Sequence, residues 1–272
     1  MTTQREDVRA TDDEYTGVYV YGIMPGDIEV ESGATGVGDP PGEVRAIRHR
    51  DLVALVSDVR LDRPLGRAED LVTHEELLDS SSAYVPVLPL RFGAVVSDDD
   101  AVTDELLGPH HDEFAAALRQ LEGHAEYVVR GRYIEQAVLQ ELLAGSPQAA
   151  RLAEQLRDAD PDATRSQRIE LGEFINNAIT AKRDADNRTL GKALSGHVTA
   201  SVVRPPTHEL DAVYGAFLVE TDKADELREA VGRLAEEWRD RIELRLLGPL
   251  ATYDFIGTAA TASSTTTTTR GD

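Results

Sequence analysis

Near the end of the chain, Arg241-Ile-Glu-Leu-Arg-Leu246 alternates apolar and charged residues, so Ile242, Leu244 and Leu246 share one pleat face and Arg241, Glu243 and Arg245 the other. That is the period of a strand with one buried face. Gly248-Pro249 is expected to end its pairing, since proline lacks an N–H, and Tyr253 and Phe255 then follow as aromatics tucked onto the fold. Val18-Tyr-Val-Tyr-Gly-Ile-Met24 is apolar on both faces and predicts a central strand covered on both sides. Val44–Arg48 and Leu52–Val59, separated by His49-Arg50-Asp51, predict a hairpin. Leu71, His74, Glu75, Leu78 and Ser82 share one helical stripe, which makes His74 a half-buried helix residue. The apolar run Tyr84–Val96 is interrupted by Pro86 and Pro89 and therefore predicts an edge strand or a bulged path. Arg91 stands alone in that run and calls for an ion-pair partner. Ser97 before Asp98, Asp99 and Asp100 predicts a capped helix start, broken at Gly108-Pro109 and followed by a helix carrying Phe114, Leu118 and Leu121.

Beyond Gly123 the pattern changes. Ala125–Tyr133 alternates as a strand, and helical segments follow, split at Gly145-Ser-Pro147 and ended at Asp160-Pro161. Ile169–Arg183 sets Leu171, Phe174, Ile175, Ala178 and Ile179 on the strongest helical stripe of the chain. His197–Arg204 and Ala212–Glu220 read as strands, and Thr221-Asp222 caps a helix with Ala224, Leu227, Val231, Leu234 and Trp238 on one face. The order strand, helices, strand, strand, helix, strand is the split βαβ plan, a four-stranded antiparallel sheet with helices on one face and the other face free to dock something. The expected fold is α+β in two domains: an N-terminal mixed domain over residues 15–122, and a C-terminal split βαβ domain with extra helices over 123–257. Residues 1–14 and the Thr-rich stretch 258–272 are expected to be disordered.

Length and charge narrow the function. The 272 residues, 41% hydrophobic, suffice for two cores. With 50 acidic against 28 basic residues the net charge is −22, which repels a phosphate backbone or an anionic membrane. Without cysteine there is no disulfide framework and no thiolate site. The polar Met1–Glu14 segment lacks the apolar centre of a signal peptide, and no run approaches a bilayer span, so a soluble, intracellular protein is expected, without nucleic acid or membrane insertion.

The search for chemistry yields little. The glycines of Gly33–Gly42 fit neither the dinucleotide nor the Walker spacing. His110-His111-Asp112-Glu113 is the one dense set of metal-ligand types, and it supports the alternative of a metal-dependent or acid–base enzyme. Adjacent helical residues point about 100° apart, however, and the HExxH spacing is absent. No GxSxG or triad spacing appears, and the final Arg-Gly-Asp is chance. What stands out are the proline-marked apolar segments Val85–Val96 and Leu247–Ile256, which fill a junction or present an apolar patch to a partner. No catalytic residue, cofactor or metal is assigned, and a binding protein is preferred.

Tyr19-Val-Tyr-Gly-Ile23, Val53-Ala-Leu-Val-Ser57, Val87-Leu-Pro-Leu-Arg-Phe-Gly93, Leu171-Gly-Glu173 and Gly248-Pro-Leu-Ala-Thr-Tyr-Asp-Phe255 resemble the gas vesicle protein F/L family, its F-type members in particular. The family's segments read like YxYGI, LPxRFG and GPxPPYxF, and the resemblance runs in order over residues 17 to 257. Leu250-Ala-Thr252 replaces the usual proline-rich run. The resemblance implies a gas vesicle accessory protein, acting at the vesicle and in the cytoplasm, with a modified ferredoxin-like second domain. Its partners would be the very hydrophobic main shell protein, whose nucleation it assists, and other accessory proteins; some members are minor vesicle components. Carried over by motif, Arg91, Phe92, Gly93, Gly248, Pro249, Tyr253 and Phe255 are implied as junction residues first and partner contacts second.

Overall fold

The structure, a computed structural model, describes residues 16–26, 28 and 33–256. The flanking segments read as disordered lie outside the described residues. The chain forms two compact units, one of residues up to Glu126 together with those from Gly248 onward, the other Tyr127–Leu247.

The first unit contains β1 (Thr16–Pro25), β2 (Arg45–His49), β3 (Leu52–Arg60), α1 (Ala68–Ser82), β4 (Leu88–Pro89) and β5 (Val95–Val96). Then come α2, a single turn Asp99–Ala101 running into a π-helical Val102–Leu107, and α3 (His111–Leu121). The sheet order is β2-β3-β1-β4, with β5 also paired to β1. β1 is thus interior, and every residue from Gly17 to Met24 is buried, as a run apolar on both faces requires. β2 and β3 form the expected hairpin around Arg50-Asp51, with Arg50 in the left-handed region at φ 56°. The two prolines leave β4 and β5 as two-residue edge strands. The cap of α2 is Asp98 rather than Ser97, its carboxylate accepting the Ala101 N–H at 2.8 Å.

The second unit contains most of β6 (His124–Tyr133), then α4 (Glu135–Ala144), α5 (Pro147–Leu156), α6 (Arg165–Leu194), β7 (Ala200–Val203), β8 (Asp211–Glu220), α7 (Ala224–Trp238) and most of β9 (Ile242–Leu250). Its strand order, β7-β8-β6-β9, is the split βαβ arrangement. Odd-numbered residues of β6 face the helices: the Tyr133 hydroxyl donates to Asp186 on α6, and Arg228 on α7 stacks over Tyr127. All five apolar residues on the expected face of α7 are buried.

Two elements differ from expectation. α6 runs 30 residues, and its buried anchors are Asp186, Leu190 and Leu194, whereas Leu171, Phe174, Ile175, Ala178 and Ile179 are only half-buried. Asp186 interrupts the apolar stripe and is buried all the same, because Tyr133 donates to it at 2.7 Å and Arg241 at 2.8 and 2.9 Å. β9, for its part, continues through Gly248-Pro249 to Leu250. It lies at the sheet edge, where a missing N–H costs no ladder bond.

Candidate functional site

The motif residues converge on one place in the first unit. Tyr19 and Tyr21 project from β1 on the same side, with ring centroids 4.8 Å apart. The Tyr19 hydroxyl lies 2.9 Å from His74 Nδ1 and accepts the Gly93 N–H at 3.1 Å. Phe92 closes the cluster edge-on to both Tyr19 and His74, at 5.9 and 5.7 Å. Gly93 sits at φ 88°, a conformation that costs other residues strain, and this turns the Phe92 ring inward while its own N–H meets Tyr19. Burial pushes the Tyr19 phenol up to about 12, against the Gly93 amide, which favours the ionised form. His74 is fully buried, more so than its stripe implied, and among the described residues its Nε2 has no hydrogen-bond partner. Burial lowers its pKa, an effect the Leu90 backbone partly opposes. Tyr21 joins the 33–42 loop to the sheet, accepting the Val37 N–H at 2.8 Å and bonding Ser57 at 2.8 Å.

The terminal segment docks beside this cluster. Ala251 belongs to the same buried core as Tyr19, Tyr21, Leu78 and Val87. Its N–H donates to Asp79 at 2.9 Å, the Thr252 hydroxyl donates to the Val87 carbonyl at 3.0 Å, and the Asp254 N–H donates to the buried Glu126 at 3.1 Å. Phe255 is buried, which contributes on the order of 1.5–3 kcal/mol. Tyr253 remains partly exposed, and burial together with Asp79 and Glu75 raises its pKa.

Comparisons with known proteins identify the family. Residues 17–257 match the family described as gas vesicle synthesis protein GvpL/GvpF, a span that includes both halves of the docked arrangement. This chain belongs to the GvpL/GvpF family. It is 35% identical to gas vesicle protein F of a Streptomyces species over 241 residues, covering 88% of this chain and 98% of that protein. To gas vesicle protein L of the same strain it is 31% identical, covering 89% and 93%, so the F-type resemblance is the stronger of the two. In fold it matches the crystal structures of GvpF from an Anabaena species (TM-score 0.71, 21% identity, 89% of this chain and 98% of that one) and from Microcystis aeruginosa (TM-score 0.69, 20% identity, 88% and 98%). A role connected with gas vesicles and their other components follows from membership of the GvpL/GvpF family.

The remaining motif residues divide between inside and outside. Gly248 is exposed at φ 135° and Pro249 half-buried, together forming the entry to the docked segment. Arg91 corrects an expectation: its side chain is exposed and has no ion pair among the described residues, because the turn that directs Phe92 inward directs its neighbour outward. The His110–Glu113 set lies at the start of α3. His111 is engaged through both ring nitrogens, Nε2 with Asp51 at 2.5 Å and Nδ1 with Asp112 at 3.1 Å, while His110 Nδ1 lies 3.4 Å from Glu113. Among the described residues no group of three or more possible ligands is placed to hold a metal ion, and no helix is long and apolar enough to cross a membrane.

Asp79, Thr252 and Glu126 were not singled out from the sequence, since isolated polar residues on amphipathic elements carry no local signal of a partner far along the chain. Tyr84 was read only as part of an apolar run, yet it is 90% exposed. It borders a pocket of about 430 Å³ whose walls include Pro25, Val85, Pro86 and Leu118, with Asp51, Arg119 and Glu122 also lining it.

Proposed function

We propose that this GvpL/GvpF family member binds the apolar main shell protein of gas vesicles and assists nucleation and assembly of the shell, in the cytoplasm and at the vesicle, without catalysing a reaction. The carrying observation is Tyr84, nearly fully exposed beside a pocket of the first unit in which Pro25, Val85, Pro86 and Leu118 stand among Asp51, Arg119 and Glu122. An exposed tyrosine next to half-buried prolines and valine is the composition of a contact centre, and exposed apolar patches mark partner sites. A strongly acidic body with such a patch can shield a subunit that would otherwise aggregate. In this reading Phe92, Gly93 and Phe255 are structural residues of the first unit, and Gly248 and Pro249 form the entry to its docked terminal segment. Arg91 and Tyr253 reach solvent and remain for contact.

Co-purification with the shell subunit tests the reading. The chain should retain the subunit, and Tyr84→Glu, a surface change, should reduce the amount retained at least fivefold without lowering the melting temperature. If the unsubstituted chain retains none, the shell-binding role is wrong; equal retention by the variant would mean that contact lies elsewhere.

A further inference from the structure

The second unit's sheet ends in β9, and among the described residues no strand pairs with the outer edge of that strand. The register with β6 decides which backbone groups lie on the edge. The Ile134 N–H donates to the Arg241 carbonyl at 2.9 Å, and a Cβ at Gly131 would touch Ile242 and Leu244, so the numbering rises along β9 as it falls along β6 and the pair is antiparallel. The N–H and C=O groups of successive residues point to opposite sides of a strand. Those of Glu243 and Arg245 therefore face β6, and those of Ile242, Leu244 and Leu246 face outward. Natural edge strands are commonly blunted by lysine, proline or a bulge, yet from Ile242 to Leu247 β9 has neither lysine nor proline and alternates without a break.

The side chains complete the picture. Ile242, Leu244 and Leu246 share the helix side of the sheet, but only Ile242 is buried; Leu244 and Leu246 are half-buried, as side chains at an open sheet border are. Glu243 and Arg245 are exposed on the other side, and neither has an ion-pair partner among the described residues. Their neighbours across the ladder on β6, Arg132 and Arg130, reach Asp211 instead, at 4.0 and 3.3 Å.

We infer that β9 pairs with β9 of a second copy of this chain, antiparallel about a two-fold axis at Leu244, so that two four-stranded sheets become one. In that register Leu244 lies opposite Leu244 of the second copy and Ile242 opposite its Leu246. The outward N–H and C=O groups of these residues then satisfy one another, and the half-buried leucines cover each other. Glu243 lies opposite Arg245 twice, once in each direction. Charge selects this register: moving one strand by two residues sets Glu243 against Glu243 or Arg245 against Arg245, and moving it by one turns every side chain to the wrong face. Opposite charges two residues apart are self-complementary across a two-fold, which favours a copy of the chain over a foreign strand. The pairing is isologous and consumes the edge, so it closes at a dimer. The net charge of −22 opposes association of the whole chains, but that repulsion is screened beyond a Debye length, about 8 Å at physiological salt, and the stretch that meets carries one acid and one base. The inference is independent of shell binding through Tyr84, which lies in the first unit.

Sedimentation equilibrium of the full chain at physiological salt tests this. The unsubstituted chain should form a dimer that dissociates on dilution. Glu243→Arg sets arginine against arginine at both symmetry-related positions, and Arg245→Glu sets glutamate against glutamate, so each alone should weaken association by about tenfold or more. Mixed in equal amounts, the two variants are complementary and should associate with each other. The double variant Glu243→Arg/Arg245→Glu exchanges the charges within one chain and should dimerise as the unsubstituted chain does. Both positions are exposed, and recovery in the mixture and in the double variant separates lost pairing from lost folding. A chain that stays monomeric up to submillimolar concentration, a dimer that the single variants leave equally strong, or single variants that fail to associate on mixing would overturn the proposal.

Discussion

The Ala251 N–H donates to Asp79 Oδ1 at 2.9 Å, joining positions 172 residues apart. The two motif segments of the family meet through such contacts: beside the buried Ala251 and Phe255, the terminal segment's own N–H and hydroxyl groups donate to acceptors elsewhere in the first unit. Asp79 is held for this purpose at a cost. Burial is the largest influence on it and pushes its pKa up, Glu75 adds to the rise, and the Ala251 N–H opposes it.

Asp79→Ala should therefore destabilise the protein by about 1–3 kcal/mol, since it strands a donor that the fold has buried. Asp79→Asn keeps an oxygen for Ala251 and removes the half-buried charge, so its stability at pH 7 should equal or exceed that of the natural sequence. The sign of the pH dependence follows from the raised pKa. The folded state holds the Asp79 proton more tightly than the unfolded chain, so the contribution is full below the ordinary aspartate value, about 3.9, and is lost as pH rises through the folded value. Urea melts from pH 4 to 7 should show this decline in the natural protein and its absence in Asp79→Asn. An Asn variant as unstable as the Ala variant would show that the charge itself holds the segment.

Elements whose apolar residues all serve one interface were legible from the sequence. β1 is buried along its length, and α7 buries every residue of its stripe, because period and burial coincide there. The split βαβ order also followed from the succession of periods alone. The reading weakened where a polar group does the work of an apolar one: Asp186 hid the second half of α6, and Asp79, Glu126 and Thr252 hid the docking of the terminal segment. Arg91 was misread for a related reason, since hydropathy assigned it to its apolar neighbours while the turn at Gly93 decides which way each side chain points.

His74 and His111 should titrate in opposite directions. Burial lowers the pKa of His74. Hydrogen bonds to Asp112 and Asp51 raise that of His111. His74 thus contributes stability that is present above the unfolded histidine value, about 6.5, and is lost as pH falls towards the folded value; His111 contributes stability that is present below about 6.5 and is lost as pH rises through its folded value. Ring-proton titrations should place the two on either side of 6.5. Asp51→Asn should move His111 back toward 6.5 and leave His74 unchanged. A His74 that protonates at or above 6.5 is incompatible with a ring kept neutral by its burial beside Tyr19.

Two glycines of the second unit should respond oppositely to alanine. A Cβ at Gly131 would stand 2.7 Å from Val213 Cγ2 and 2.8 Å from both Ile242 Cγ2 and Leu244 Cδ2. Val213 and Ile242 are buried and β-branched, so they have little rotamer freedom with which to yield, and overpacking of this kind costs about 1–3 kcal/mol. Gly172 lies within α6 with nothing inside 4 Å of its added Cβ. There alanine removes only the flexibility of the unfolded chain, and it should stabilise by about 0.4–1 kcal/mol. The close approach at Gly131 is what lets β9 and β8 bring their apolar residues onto β6, so the pair of variants separates sheet packing from helix propensity. Chemical melts of the two should shift the midpoint in opposite directions; a Gly131→Ala protein as stable as the original would mean that the strands do not approach one another as closely as described.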